Sequence, residues 1–281
     1  MKKILVPTDF SNCSNAALKV AVSIAKRNNA EIEILHVIES PEFQYPTLDF
    51  SAIPFSYFSE IKKELFEQAD KKIKKLEEVA HMYDVKIGAH VEEGMMYQVL
   101  EDISESGSFD LIVLGTTGSS GIEEAVIGSN AQKVVRYSKV PVLTVTHSGN
   151  EFDLKKVMIA SDFKEIDKMN LGLLSSIVKA DDLEVHLLGV TTPLEPEDKA
   201  DVESRITELA DKCELNTYIS KVIYNKDIVE AITAHSQNID ADLVLMYTHG
   251  YSGVKQWFHN SIAESVVNHS EIPVLILKFD K

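Results

Sequence analysis

Thiols are scarce in this chain of 281 residues, which holds two cysteines, Cys13 and Cys213, in opposite halves. Neither has another thiol near it in sequence, which excludes a disulfide framework and a cysteine-based metal site. Long apolar runs are lacking too, and nothing approaches the roughly 18 residues that a membrane helix requires. After Lys2 and Lys3 the run Ile4-Leu5-Val6-Pro7 is far shorter than the core of a secretory signal. A cytoplasmic chain with no membrane partner is therefore expected. Positive charge is also short, with 28 Lys and Arg against 44 Asp and Glu and a formal charge of −16. That is the wrong sign for neutralising nucleic-acid phosphates, so no nucleic acid is expected as a partner. What is present is ordinary globular material, 44% hydrophobic and 26% charged, in a length that suggests two domains at about 150 residues each.

The two domains are one unit written twice. Lys3-Ile4-Leu5-Val6-Pro7-Thr8-Asp9-Phe10 matches Lys156-Val157-Met158-Ile159-Ala160-Ser161-Asp162-Phe163, and Asp110-Leu111-Ile112-Val113-Leu114-Gly115-Thr116 matches Asp242-Leu243-Val244-Leu245-Met246-Tyr247-Thr248. From Ser129 to Val145 the first copy runs without gaps against Ser261 to Leu277. The offset falls from 153 to 132 between the first match and the second, so the first copy carries 21 extra residues between its second and third strands. The boundary falls near His147 to Asp153, giving domains at 1–148 and 153–281.

Short β-branched runs alternate with longer helical patterns in each copy, the order of βαβ units. Strands are predicted near 3–7, 31–38, 85–92, 110–115 and 141–146, then near 156–160, 183–190, 217–224, 242–247 and 273–278. Ile61, Leu65, Ala69, Ile73, Leu76 and Val79 fall at steps of three and four and predict an amphipathic helix. The fold class is α/β, two tandem doubly wound five-stranded parallel sheets. With strand order 3-2-1-4-5, the loops after the first and fourth strands face one crevice, where a ligand is expected.

The stretch from Gly115 to Asn130 leaves a strand, passes Gly118 and Gly121, and re-enters a helix at Gly128-Ser129. Glycine lets an anion approach main-chain N–H groups closely, and a helix N-terminus adds donors and a favourable dipole, so a polyphosphate is the natural guest. A Walker A loop is excluded because no lysine follows, and the dinucleotide fingerprint is excluded because the first strand ends in Pro7-Thr8-Asp9. The pattern G-x2-G-x9-G-(S/T), met by Gly115, Gly118, Gly128 and Ser129, resembles the nucleotide-binding members of the universal stress protein family. The opening Ile4 to Ser11, the segment Leu35-His36-Val37-Ile38 and the closing Val140-Pro141-Val142-Leu143 look like the same family, and the resemblance covers both halves.

That resemblance implies an adenine nucleotide alpha hydrolase-like fold and an ATP site in the first half. It sets Pro7, Thr8 and Asp9 against the nucleoside, the main chain of Val37 on the adenine edge, Gly115 and Gly118 beside the ribose and phosphates, and Gly128, Ser129 and Asn130 on the phosphate chain. Mg²⁺ is expected with the phosphates rather than in a protein cage. In the family, paired domains join through their last strands. Val140 to Thr146 and Ile272 to Leu277 are suitable edges for an intramolecular pseudo-dimer, with a homodimer in addition. The second copy keeps Asp162 but has Tyr247 for Gly115 and Asn260 for Gly128, so the phenol is expected to fill the ligand's space there.

Plainer roles stand beside these. Ser129 with Gln132, and Ser261 with Glu264, fit capping boxes, and Asp9 with Ser11 fits a helix start. His36 and His81 are isolated, whereas His249, His259 and His269 cluster in the second copy. Residues 43–58 hold Phe43, Tyr45, Phe50, Phe55, Tyr57 and Phe58, too many aromatics for a solvated loop, and read as a packing surface or a lid. No catalytic constellation emerges, since Gly118-Ser119-Ser120-Gly121 is a residue short of a nucleophile elbow. The expected function is a nucleotide-dependent stress sensor or adaptor acting on an unidentified protein partner. A slow ATP hydrolase, and a nucleotide-free module binding an apolar metabolite or protein through 43–58, remain as alternatives. Residues 1–150 carry 15 cations against 21 carboxylates and residues 151–281 carry 13 against 23, so the half with the glycine loop is the less acidic.

Overall fold

In the computed structural model, the residues described are 1–39, 55–80, 84–116, 128–146, 152–179, 182–248 and 262–279. The apolar run behind Lys2 becomes β1 (Lys3–Pro7), and its Ile4, Leu5 and Val6 are wholly buried. Ser11 then accepts a hydrogen bond from the Ser14 N–H and caps α1 (Asn12–Asn28), which ends at Asn29 in the left-handed region (φ 50°). Alanines 16, 17, 21 and 25 on its buried face let α1 lie close to the sheet. The first half continues as β2 (Glu31–Ile38), α2 (Phe55–Ala80), β3 (Ile87–Glu93), α3 (Met96–Glu105), β4 (Leu111–Gly115), α4 (Ser129–Tyr137) and β5 (Val142–Val145).

The second half repeats the plan with β6 (Lys156–Ala160), a 3-10 turn at Ile166–Lys168, α5 (Leu171–Val178), β7 (Glu184–Thr191) and α6 (Lys199–Lys212). It ends with β8 (Ile219–Tyr224), α7 (Ile228–Asn238), β9 (Leu243–Thr248), α8 (Ile262–His269) and β10 (Val274–Lys278). Each half has strand order 3-2-1-4-5, all parallel. The halves meet where β5 and β10 pair antiparallel, making one sheet of ten strands. Leu143 opposes Leu275, and these are equivalent residues of the two copies, so a pseudo-twofold axis passes through that pair.

One face of the sheet carries α1, α2, α5 and α6 over a core continuous through both halves, from Ile4 and Ile24 to Leu174 and Leu277. The other face carries α3, α4, α7 and α8 over Leu5, Leu100, Val134, Ile232, Val266 and Ile276. Among the described residues no helix is long and apolar enough to cross a membrane.

Residues 39–86 join β2 to β3 and residues 192–218 join β7 to β8, so the 21-residue excess lies in this connection. Part of it lengthens the helix, which has 26 residues in α2 against 14 in α6. The aromatic segment is accordingly not a loop throughout, because Phe55, Tyr57 and Phe58 belong to the first turn of α2, where Tyr57 is 56% exposed. Phe43, Tyr45 and Phe50 lie outside the described residues.

Candidate functional site

The C-terminal ends of β1 and β4 are where the two winding directions part, and one residue controls how far those strands stay together. At their N-terminal ends Asp110 holds them, its carboxylate accepting the N–H groups of Lys2 and Lys3. Pairing then covers only Ile4 with Leu111 and Leu5 with Ile112. The Thr8 N–H donates to the Leu35 carbonyl of β2 at 2.8 Å, so by alternation the backbone nitrogen of Pro7 faces β4, and proline has no hydrogen to offer. In the second half Ala160 stands in this place and β6 pairs with β9 from Val157 through Ala160. The ladder between first and fourth strands thus ends two pairs earlier in the first half than in the second.

Beyond Pro7 the chain turns through Thr8 and Asp9. Thr8 is buried, donates its hydroxyl to Ser14 Oγ at 3.1 Å and accepts the Phe10 N–H at 3.0 Å. Asp9 Oδ1 accepts the Ser11 N–H at 3.0 Å, which holds Phe10 at φ 63°. His36 packs on the Phe10 ring at 4.4 Å between centroids. Its Nδ1 lies 2.8 Å from the Thr8 carbonyl, which only accepts, so Nδ1 carries the proton. Burial lowers the His36 pKa, with Lys72 acting in the same direction and the Thr8 bond and Asp9 opposing. Val37 is buried near the end of β2, its residue paired with Glu92 of β3.

The far wall is built from β4 and α4. The Thr116 N–H donates to the Val145 carbonyl at 2.9 Å and the Gly128 N–H to the Thr116 carbonyl at 2.7 Å, which ties the start of α4 to the end of β4. Gly118 lies outside the described residues. Gly128 is the N-cap of α4 and supplies no side-chain bond. Ser129 is therefore the first helical residue rather than the cap of a Ser129–Gln132 box, and it and Asn130 are exposed. A helix start without a side-chain cap keeps first-turn donors available to an anion. The carboxylate of Glu264 is held by Arg136 at 2.8 and 2.9 Å, and the second box lies outside the described residues at Ser261.

Gly115 serves packing. A Cβ there would meet Cys13 C and Sγ at 2.9 Å and Ser14 N at 3.0 Å, all in the first turn of α1. The matching Tyr247 corrects the expectation that its ring fills a ligand's space. Its side chain points to the α5 face, packs on Phe279 at 5.5 Å and reaches the Asn170 carbonyl with its hydroxyl at 3.4 Å. The helix there begins at Leu171 and has 8 residues against 17 in α1, and the phenol fills the volume of the missing turns.

Sequence reading passed over Pro7 as the end of the ladder, and also over a repeated cation. The buried stripe of α2 (Ala69, Ile73) matches that of α6 (Val202, Ile206), which aligns Lys72 with Arg205. Lys72 Nζ stands 4.9 Å over the Phe10 ring, and Arg205 Nε donates to the Asp162 carbonyl at 3.2 Å while its other arm binds Glu197. The expected histidine cluster is untouched for His249 and His259, which lie outside the described residues, while the ring of His269 bonds its own helix at Ser265. Among the described residues no three His, Cys, Asp or Glu side chains converge on a metal position.

The universal stress protein family model matches residues 1–146 and again 154–278. The chain belongs to the universal stress protein family. It carries the family's unit twice, in the adenine nucleotide alpha hydrolase-like fold. A universal stress protein of Methanocaldococcus jannaschii is 37% identical over 144 residues, 51% of this chain and 81% of that relative. One from Bacillus subtilis is 33% identical over 145 residues, 51% of this chain and 97% of its own length. In the solved universal stress protein of Archaeoglobus fulgidus the same architecture recurs over 98% of both chains, with a TM-score of 0.74 at 23% identity, a likeness of fold.

Proposed function

We propose that the first half of this universal stress protein binds one ATP with Mg²⁺ and that the second half binds none. The observation that carries this is the ladder between β1 and β4, cut short where Pro7 has no N–H to offer, beside an α4 N-terminus with no side-chain cap. Asp9 and the main chain at Val37 would take the nucleoside, and Gly128, Ser129 and Asn130 would take phosphates through backbone donors, a role that the acidic charge of the chain does not oppose. Mg²⁺ would enter with the phosphates and neutralise part of their charge. In the second half the ladder continues through Ala160, and Arg205 is committed to Asp162 and Glu197.

The proposed role is that of a sensor or adaptor in a stress response, working in the cytoplasm, where the buried thiols of Cys13 and Cys213 stay reduced. α4 packs against α8 across the join, which gives occupancy of the first half a path to the second. Titration calorimetry of the full chain with ATP and Mg²⁺ tests the reading. One equivalent is expected, lost in Asp9→Ala and Gly128→Leu variants that retain native circular dichroism, and kept in Asp162→Ala. No heat of binding, or a site that survives Asp9→Ala and disappears with Asp162→Ala, ends it.

A further inference from the structure

The contacts across the join follow the pseudo-twofold axis in one respect and break it in another. Thr146 donates to the Ser270 carbonyl at 3.2 Å, and its equivalent in the other half, Lys278, donates to the Ser138 carbonyl. A neutral hydroxyl thus faces the end of α8, whereas an ammonium faces the end of α4. Lys278 Nζ also lies 3.4 Å from the Arg136 carbonyl, so it takes two of the acceptors that a helix leaves unpaired at its C-terminus. The guanidinium of the same Arg136 grips Glu264 through two bonds. Their counterparts, Asn268 and Gln132, carry no charge. The charged anchors that β10 and α8 supply therefore converge on α4, the helix whose other end is Gly128-Ser129-Asn130, while Asp182 separately holds Arg27 at the end of α1.

We propose that Lys278 and Glu264 are positioning residues through which the second half fixes α4 and, with it, the phosphate-binding turn of the first. A helix of nine residues moves as a rigid rod, so contacts at Arg136 and Ser138 set the height and rotation of Ser129 and Asn130. A cation at the C-terminus and an anion at the N-terminus both complement the same helix dipole. This inference rests on the nucleotide reading, and it assigns the degenerate half a task that needs no ligand of its own.

Stability alone does not account for Lys278. Burial pushes its amine down to about 8, below the 10.5 of an unburied lysine. The charged groups its contacts bring to it are Arg136 of α4 and, through Arg136, Glu264 of α8; β5 and β9 hold no charged residue. With the folded value depressed, the unfolded chain binds more protons between about pH 8 and 10.5, stability from this group rises with pH through that window, and below it the buried charge is a cost. Lys278→Met is accordingly expected to melt no lower than wild type at pH 7.

The experiment compares the full chain with Lys278→Met and Glu264→Gln by Mg-ATP titration from pH 7 to 9 and by amide hydrogen exchange across residues 129–132. Affinity about tenfold weaker in each variant at pH 7 is expected, with faster exchange at those amides. Wild-type affinity should fall as pH passes 8, while Lys278→Met stays flat. ATP bound equally by wild type and both variants overturns the coupling and leaves the nucleotide reading intact. No binding by wild type overturns the nucleotide reading, and unchanged exchange in the variants then overturns the clamp as well.

Discussion

Gly115 answers to two demands at once, a family glycine pattern and the first turn of α1 pressed against the end of β4. Its missing Cβ is required by Cys13 at 2.9 Å before any ligand is considered. Gly115→Ala is therefore expected to lose about 1–3 kcal/mol in urea denaturation without nucleotide. A midpoint equal to wild type would mean that the glycine is kept for the ligand alone. A second residue-scale effect is pH. His36 and His235 are held neutral chiefly by burial, with Lys72 acting against the charged form of the first and Lys221 and His186 against that of the second. Both folded values lie below 6.5, so the unfolded chain takes up protons first. Stability is fully present above about pH 6.5 and is lost as pH falls below it. Melting curves from pH 5 to 8 should show a smaller acid loss in His235→Leu than in wild type, and parallel curves would exclude the histidine as a source. Single-residue roles of this kind were only partly legible in the sequence, because the side on which Tyr247 or Gly115 faces depends on which helix lies over it.

At the scale of elements, all ten strands were legible, most within two residues of their observed ends, since period and β-branching are local signals. Helix lengths were not. α5 begins late because the chain at 161–170 takes a 3-10 turn and Asn170 becomes the cap, leaving room that Tyr247 fills. Tyr247→Gly is predicted to cost about 3–5 kcal/mol through the cavity left behind. It should create no second ATP site, and a second equivalent in calorimetry would restore the idea that the ring blocks a ligand. Pro7→Ala supplies the missing donor toward β4, so the new amide should exchange slowly and ATP affinity should fall about fivefold; an unprotected amide at residue 7 would refute the ladder account.

At the scale of the whole molecule, the register of β5 on β10 is that of a twofold dimer written into one chain. A first half cut at residue 148 exposes Val142–Val145 as an apolar edge, and it should pair with itself through Leu143. Sedimentation at micromolar concentration is expected to give a dimer, and a monomer with native circular dichroism would contradict it. Lys155 and Lys156 bonded to Asp242, and Lys2 and Lys3 bonded to Asp110, repeat the same strand clamp in both halves, which makes the asymmetric contacts stand out as the informative ones.

The sequence alone determined the duplication, the strand positions, the place of the extra residues and the glycine loop with its family likeness, because each is written in neighbouring residues or in matching segments. Only the tertiary structure decided that the β1–β4 ladder stops short of Pro7, that Gly115 yields to Cys13, that Gly128 rather than Ser129 caps α4, and that Lys278 and Glu264 converge on that helix. Those facts depend on which strands and helices become neighbours across more than a hundred residues. Burial of apolar faces sets those distances, and no local pattern encodes them.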